Sequence, residues 1–137
     1  MKIKCSIYRG GTSRGVFFKK EDLPEENEKI EWIFKEAIDC FNQTSVDGLG
    51  GGISSTNKTC IVSKSLRDGV DLDWTFYQLG IGNDTIDSSG TCGNLIAAAA
   101  AFGVNEKMFN FDEKAEKISV NIFNTNISKI IKVDLFL

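Results

Sequence analysis

Polar and apolar residues alternate along Lys2-Ile3-Lys4-Cys5-Ser6-Ile7-Tyr8, which predicts a strand over 2–8. Val16-Phe17-Phe18 predicts a second strand, and the glycine-punctuated stretch from Arg9 to Gly15 makes the pair a hairpin with a long loop. Pro24, Glu25 and Glu26 open a helix, since proline suits a first turn and acids suit the positive end of the helix dipole. Its apolar face is Ile30, Ile33, Phe34, Ala37, Ile38 and Phe41, at spacings of three and four. A polar and glycine-rich stretch, 47–58, leads into a strand at Thr59-Cys60-Ile61-Val62. Arg67-Asp68-Gly69 is a turn, Asp73 to Ile81 a further strand, and Gly82-Asn83-Asp84 another turn. Leu95 to Phe102 is a helix with five consecutive alanines. It is apolar on every side, which predicts burial all round, and its small side chains allow close approach to a sheet. The tail reads as a hairpin, 117–123 and 128–135, turning at Asn124-Thr125-Asn126. The expected architecture is α+β: a mostly antiparallel sheet wrapped around a buried helix. The competing arrangement is a two-layer sandwich with both helices on one face.

A length of 137 residues fits one domain, 1–137, with a core of its own. Ten Phe, two Trp and two Tyr are too many aromatics for a solvated, disordered tail. The absence of histidine narrows the chemistry more than anything else in the composition. It removes Ser-His-Asp triads, Cys-His pairs and His-ligated metals, so acid–base work falls to Lys, Cys, Asp, Glu or Tyr. The net charge of −3 and the lack of a basic stripe argue against nucleic acid. The run Leu95 to Val104 is about half the ~20 residues of a membrane-spanning helix, and no secretory leader is visible. A cytoplasmic protein with reduced thiols is the expectation.

Thr91-Cys92-Gly93-Asn94, just ahead of the alanine helix, is the sharpest candidate site. A cysteine at a helix N-terminus is biased towards thiolate, and free N–H groups there stabilise a carboxylate or enolate. Set against this, a free cysteine near a helix cap is often a small buried packing residue. Lys58 enters a strand directly after a run of hydroxyls and an amide. Solvated, it is an ordinary surface lysine; buried, it is a base. Arg9 and Arg14 bracket a glycine loop and suit a carboxylate fork, although surface arginines are common. Cys5, Cys40 and Cys60 sit on apolar faces and read as core.

Four motifs occur together and in order: Tyr8-Arg9-Gly10-Gly11-Thr12-Ser13-Arg14-Gly15-Val16-Phe17-Phe18, Asp47-Gly48-Leu49-Gly50-Gly51, Ser54-Ser55-Thr56-Asn57-Lys58 and Ser89-Gly90-Thr91-Cys92-Gly93-Asn94. In this the chain resembles the PrpF family, which contains 2-methylaconitate cis-trans isomerases, 4-oxalomesaconate tautomerase and methylitaconate delta-isomerase. The resemblance implies one half, the N-terminal one, of a diaminopimelate epimerase-like fold, in which a curved sheet wraps a central helix. It implies cofactor-independent proton transfer on an unsaturated di- or tricarboxylate, with no metal. Lys58 then stands at the catalytic base and Cys92 at the thiol corner of the site. Thr12, Ser13, Ser55 and Thr56 would line the substrate pocket, with Gly93 and Asn94 at the helix end holding developing charge. Such sites draw on two halves, so the expected partners are a polycarboxylate substrate and a second half or another copy, with no nucleic acid and no membrane. The other function class is a non-catalytic carboxylate-binding or interaction module with an exposed apolar edge.

Overall fold

The computed structural model describes residues 1–137. Its strands are β1 (Ser6–Gly10), β2 (Ser13–Lys19), β3 (Lys58–Lys64), β4 (Leu72–Leu79), β5 (Ile86–Asp87), β6 (Lys117–Asn124) and β7 (Lys129–Phe136), and its helices are α1 (Asn27–Ile38) and α2 (Leu95–Asn105). All seven strands join one sheet in the order β1-β2-β3-β4-β6-β7, with the short β5 paired to β4. Four pairings are antiparallel, and β2–β3 and β4–β6 are parallel. The sheet is therefore mostly antiparallel but mixed. The two parallel pairs are those joined through helices, as parallel neighbours need a crossover.

Side chains alternate across each strand, so the two faces can be separated residue by residue. Phe17, Cys60, Val62, Leu72, Trp74 and Phe76 form one core with Leu95, Ala98, Ala99, Ala100 and Phe102 of α2. Val16, Phe18 and Leu79 form a second core with Ile33, Phe34 and Ile38 of α1. The helices thus lie on opposite faces, which rejects the sandwich with both on one side. The sheet wraps α2, the expected central helix. That helix is not enclosed all round: Ala97 is exposed, and Ile96, Ala101 and Val104 are half-buried, because the sheet covers only part of its circumference.

Three local expectations are corrected. The β1–β2 connection is a tight two-residue turn, with Gly10 opposite Ser13, rather than a long loop. Gly11 takes φ 52°, the left-handed value that a hairpin turn of this length demands at its first central position. Residues 2–5 stay outside the strand, and Cys5 is exposed rather than core. Helix α1 stops at Ile38 and leaves Phe41 exposed. Asp39 there adopts φ 58°, and its carboxylate accepts hydrogen bonds from Asn42 Nδ2 (2.9 and 2.8 Å) and from the Asp47 N–H (2.9 Å). No helix of the structure is long and apolar enough to cross a membrane.

Candidate active site

On the α2 face, the inward positions of β2 run Phe17, Gly15, Ser13; those of β3 run Val62, Cys60, Lys58; those of β4 run Leu72, Trp74, Phe76, Gln78; and those of β6 run Ile118, Val120, Ile122, Asn124. Each series begins apolar and ends polar. The pairing directions bring all four polar ends to the same end of the sheet. Lys58 lies directly opposite Gln78, whereas Asn124 lies opposite Trp74, two inward positions short of that pair. A charged or polar residue at an inward strand position is costly unless satisfied, so this staggered row marks where each strand stops being core.

Lys58 is only 8% exposed, against the expectation for an ordinary surface lysine. Its Nζ donates to Gln78 Oε1 at 2.9 Å and lies 4.9 Å from the centre of the Phe76 ring. It takes part in none of the molecule's ion pairs. Such burial without a carboxylate partner is rare for lysine. Cys92 is 8% exposed, and its thiol lies 3.6 Å from Ser13 Oγ, itself 4% exposed. Cys60, two residues along β3 from Lys58, is fully buried, and that burial pushes its thiol far up, opposed in part by Trp74. Cys60 therefore stays protonated and serves as packing.

The segment 88–94 is carried over this row by specific bonds. Asn124 Nδ2 donates to Thr91 Oγ1, and Asn126 Nδ2 donates to Ser88 O (2.8 Å) and Phe76 O (2.9 Å) while Asn126 Oδ1 accepts from the Phe76 N–H (2.7 Å). Cys92 precedes α2 by three residues, and its carbonyl accepts from the Leu95 N–H at 3.3 Å. The N–H groups of Gly93 and Asn94, both exposed, donate to no group of the protein. Asn94 Nδ2 donates to Thr12 Oγ1 at 3.1 Å, locking the helix end to the β1–β2 turn. That contact depends on glycine: a Cβ on Gly10 would lie 2.0 Å from the Asn94 carbonyl oxygen.

The 47–58 loop supplies the other wall. Asn57 is fully buried; its Oδ1 accepts from the N–H groups of Gly51 (3.0 Å) and Gly52 (3.1 Å), and its Nδ2 donates to Gly80 O (2.9 Å). Ser55 is half-buried and its carbonyl accepts from the Arg14 N–H at 2.9 Å. Thr56 spends its hydroxyl proton on Ile53 O at 3.2 Å. Lys58, Cys92, Ser13, Thr12, Asn94 and Gly93 thus gather at one end of the α2 face. Arg9 and Arg14 do not: they pair across β1–β2 on the other face, and Arg14 donates to Leu49 O at 3.3 Å. Pattern reading passed over Gln78, Asn124 and Asn126. A signal was present for the first two, as each is the polar residue that ends an inward apolar phase.

Lys58, Cys92 and Ser13 are buried, whereas Thr12, Gly93 and Asn94 beside them are exposed. Clefts lie elsewhere: one of about 820 Å³ runs beside α1, lined in part by Pro24, Ile30 and Tyr77, and one of about 510 Å³ lies between Lys20, Lys64, Arg67 and Asp73.

A buried lysine and a buried thiol thus stand at one sheet end, ahead of a helix start whose Gly93 and Asn94 N–H groups make no bond within the protein. The chain belongs to the PrpF protein family, which it matches over residues 1–136. It is 36% identical to the 2-methyl-aconitate isomerase of Shewanella oneidensis over 141 aligned positions, covering 96% of this chain and 35% of that protein. It is 31% identical to the 3-methylitaconate isomerase of Eubacterium barkeri over 135, covering 98% and 35%. The crystal structure of methylitaconate-delta-isomerase superposes with a TM-score of 0.93 at 32% identity, covering all of this chain and 60% of that one. The α+β fold with a curled sheet about a central helix is thereby shown. The chain spans about a third of the length of the curated relatives it matches.

Proposed function

We propose that this chain carries the proton-transfer residues of an isomerase of unsaturated di- or tricarboxylates, of the kind represented by 2-methylaconitate and 3-methylitaconate. The observation that carries it is Lys58, buried without an ion pair, at the same sheet end as Cys92 and the free N–H groups ahead of α2. A base removes a proton from the carbon allylic to the double bond, and the electron pair delocalises into a dienolate. Return of a proton from an acid, to the far carbon or to the same carbon after rotation, completes a double-bond shift or a cis-trans change. Lys58 is the base in this scheme, and Cys92 is the second proton-transfer group. The N–H groups of Gly93 and Asn94 hold the dienolate charge, as preorganised donors do for oxyanions. Thr12 and Ser13 line the carboxylate side, while Thr56, whose hydroxyl bonds Ile53 O beside Gly51, is set apart from it. In this scheme side chains supply acid and base and the backbone supplies charge stabilisation, without a cofactor.

The exposed Thr12, Gly93 and Asn94 beside the buried Lys58 and Cys92 support a partner that covers the site, either a second lobe or another copy. The edge strand β7 supports the same reading, with Ile130 60%, Phe136 80% and Leu137 52% exposed beside an unpaired backbone. The test is deuterium incorporation into 2-methylaconitate and 3-methylitaconate in D2O, followed by NMR. The protein is assayed alone and mixed with a chain that supplies the remaining length of its relatives. Exchange in either arrangement supports the proposal. Absence of exchange in both overturns it and leaves the non-catalytic binding module.

A further inference from the structure

We propose that Gln78 is the positioning residue for Lys58: its amide oxygen receives the lysine while its amide nitrogen is tied to two backbone carbonyls, so a neutral acceptor in one fixed orientation aims the proton-transfer group. The inference rests on the reading of Lys58 above. Lys58 Nζ donates to Gln78 Oε1 at 2.9 Å, and Gln78 Nε2 donates to Ser54 O at 3.0 Å and to Asn57 O at 3.1 Å, with a longer contact to Leu79 O at 3.4 Å. The partners settle which end of the amide is which. Carbonyls only accept and a lysine ammonium only donates, so a flipped amide would oppose like groups at all of these contacts.

The choice of an amide has a chemical consequence. An amide oxygen accepts from the ammonium and, less strongly, from the neutral amine, so it orients Lys58 through both halves of a proton-transfer cycle. A carboxylate at the same place would hold the proton by charge. The groups around Lys58 agree with this arrangement. Its own strand presents Cys60, the segment ahead of α2 presents Cys92, β2 presents Ser13 and Gly15, and β4 presents Phe76 and Gln78 itself. None of these is an acid that ionises as a carboxylate. The 54–57 carbonyls that anchor Gln78 belong to the loop that ends in Lys58, so one side chain ties β4 to both the base and the segment leading to it.

The experiment compares Gln78→Glu and Gln78→Leu with wild type by two readouts. The first is the titration of lysine ε-carbons by NMR in 13C-labelled protein, with the Lys58 signal identified by its loss in Lys58→Arg. The second is the pH–rate profile of the exchange assay. Gln78→Glu is expected to move the Lys58 titration upward and to carry the acidic limb of the rate profile with it. An opposite charge at this distance typically shifts such a group by about one to three pH units, so activity at neutral pH falls about tenfold to a thousandfold and returns at higher pH. Gln78→Leu is expected to lower kcat about tenfold or more with KM little changed, as lost orientation does. A folded Gln78→Glu protein with Lys58 titration at the wild-type position overturns the proposal. Should Gln78→Glu fail to fold, unchanged kcat in Gln78→Leu overturns it, and a fall in kcat at constant KM supports it. A shifted titration in a protein that never catalyses exchange upholds the positioning role and defeats the isomerase reading alone.

Discussion

The two helices pack on the same sheet by opposite means. Helix α1 reaches its face with large side chains: Phe34 is fully buried, with ring centres 5.2 Å from Phe18 and 5.1 Å from Tyr77, and Ile33 and Ile38 complete the contact. Its other side, including the half-exposed Trp32, faces solvent. Helix α2 also buries Leu95 and Phe102, but Ala98, Ala99, Ala100 and Gly103 make the rest of its contact, so its backbone comes close; a Cβ on Gly103 would lie 2.4 Å from Leu72 Cδ1. Large residues anchor a helix at a distance and contribute stability. Small ones contribute less per residue but bring a helix start down onto the polar end of a sheet. On this account α1 is chiefly a stabilising layer, and α2 is the layer that builds the site.

That division can be broken at four points, taken in order of expected effect on turnover. Lys58→Ala and Lys58→Arg should each lower the exchange rate by about 10²–10⁴-fold, the usual cost of losing a general base, since a guanidinium keeps its proton. Cys92→Ser is measured beside them. A comparable loss assigns the thiol a proton-transfer role, whereas a change of a few-fold reduces it to packing and moves the second role elsewhere. Next, Gly10→Ala places a methyl against the Asn94 backbone and must displace either the β1–β2 turn or the start of α2. A displacement of about 1 Å costs on the order of 100-fold in rate, so turnover should collapse while thermal stability falls much less. Unchanged turnover in Gly10→Ala would remove the claim that this close approach builds the site.

Phe34→Ala tests the other helix. Truncating a fully buried phenylalanine typically costs about 3–5 kcal/mol, so the denaturation midpoint should drop sharply. In conditions where the variant stays folded, kcat should match wild type. A loss of kcat in the folded protein would show that α1 also shapes the site. The smallest effect concerns acid sensitivity at the end of α1. The N–H of Asp47 and the amide of Asn42 hold the Asp39 carboxyl below its usual value. A depressed carboxyl contributes stability that is present above the unfolded-state value of about 3.9 and is lost as pH falls through the folded-state value. Amide exchange at Asp47 should therefore accelerate on acidification below about pH 4. Asp39→Asn, which tolerates the left-handed backbone, should remove that pH dependence. Identical acid profiles for wild type and Asp39→Asn would mean the carboxylate does not control the loop.

Much of the fold was legible because its signals are local. Period-two alternation marked the strands, the three-and-four spacing marked α1, and the run of alanines marked α2. The errors also have local causes. The alternation of residues 2–5 has no partner strand to satisfy it, and Phe41 continues the apolar spacing of α1 beyond the left-handed residue that ends it. The motifs that resemble the family placed Lys58, Cys92, Thr12, Ser13, Gly93 and Asn94 as candidates, and the fold gathers them. Gln78, Asn124 and Asn126 carry no local motif, because each acts on residues 20 or more positions away in the chain.

By itself the sequence determined most of the strand and helix segments and which residues can do acid–base chemistry without histidine. These follow from side-chain periodicity and from composition, both of which are properties of neighbouring residues. The tertiary structure alone decided that β2–β3 and β4–β6 run parallel and that the helices take opposite faces. It also decided that four strands turn polar at the same end, and that Lys58 is buried against an amide rather than an acid. Those outcomes depend on the register between distant strands. A shift of one residue would turn every side chain to the other face, and that choice is made by the packing of the whole sheet around α2.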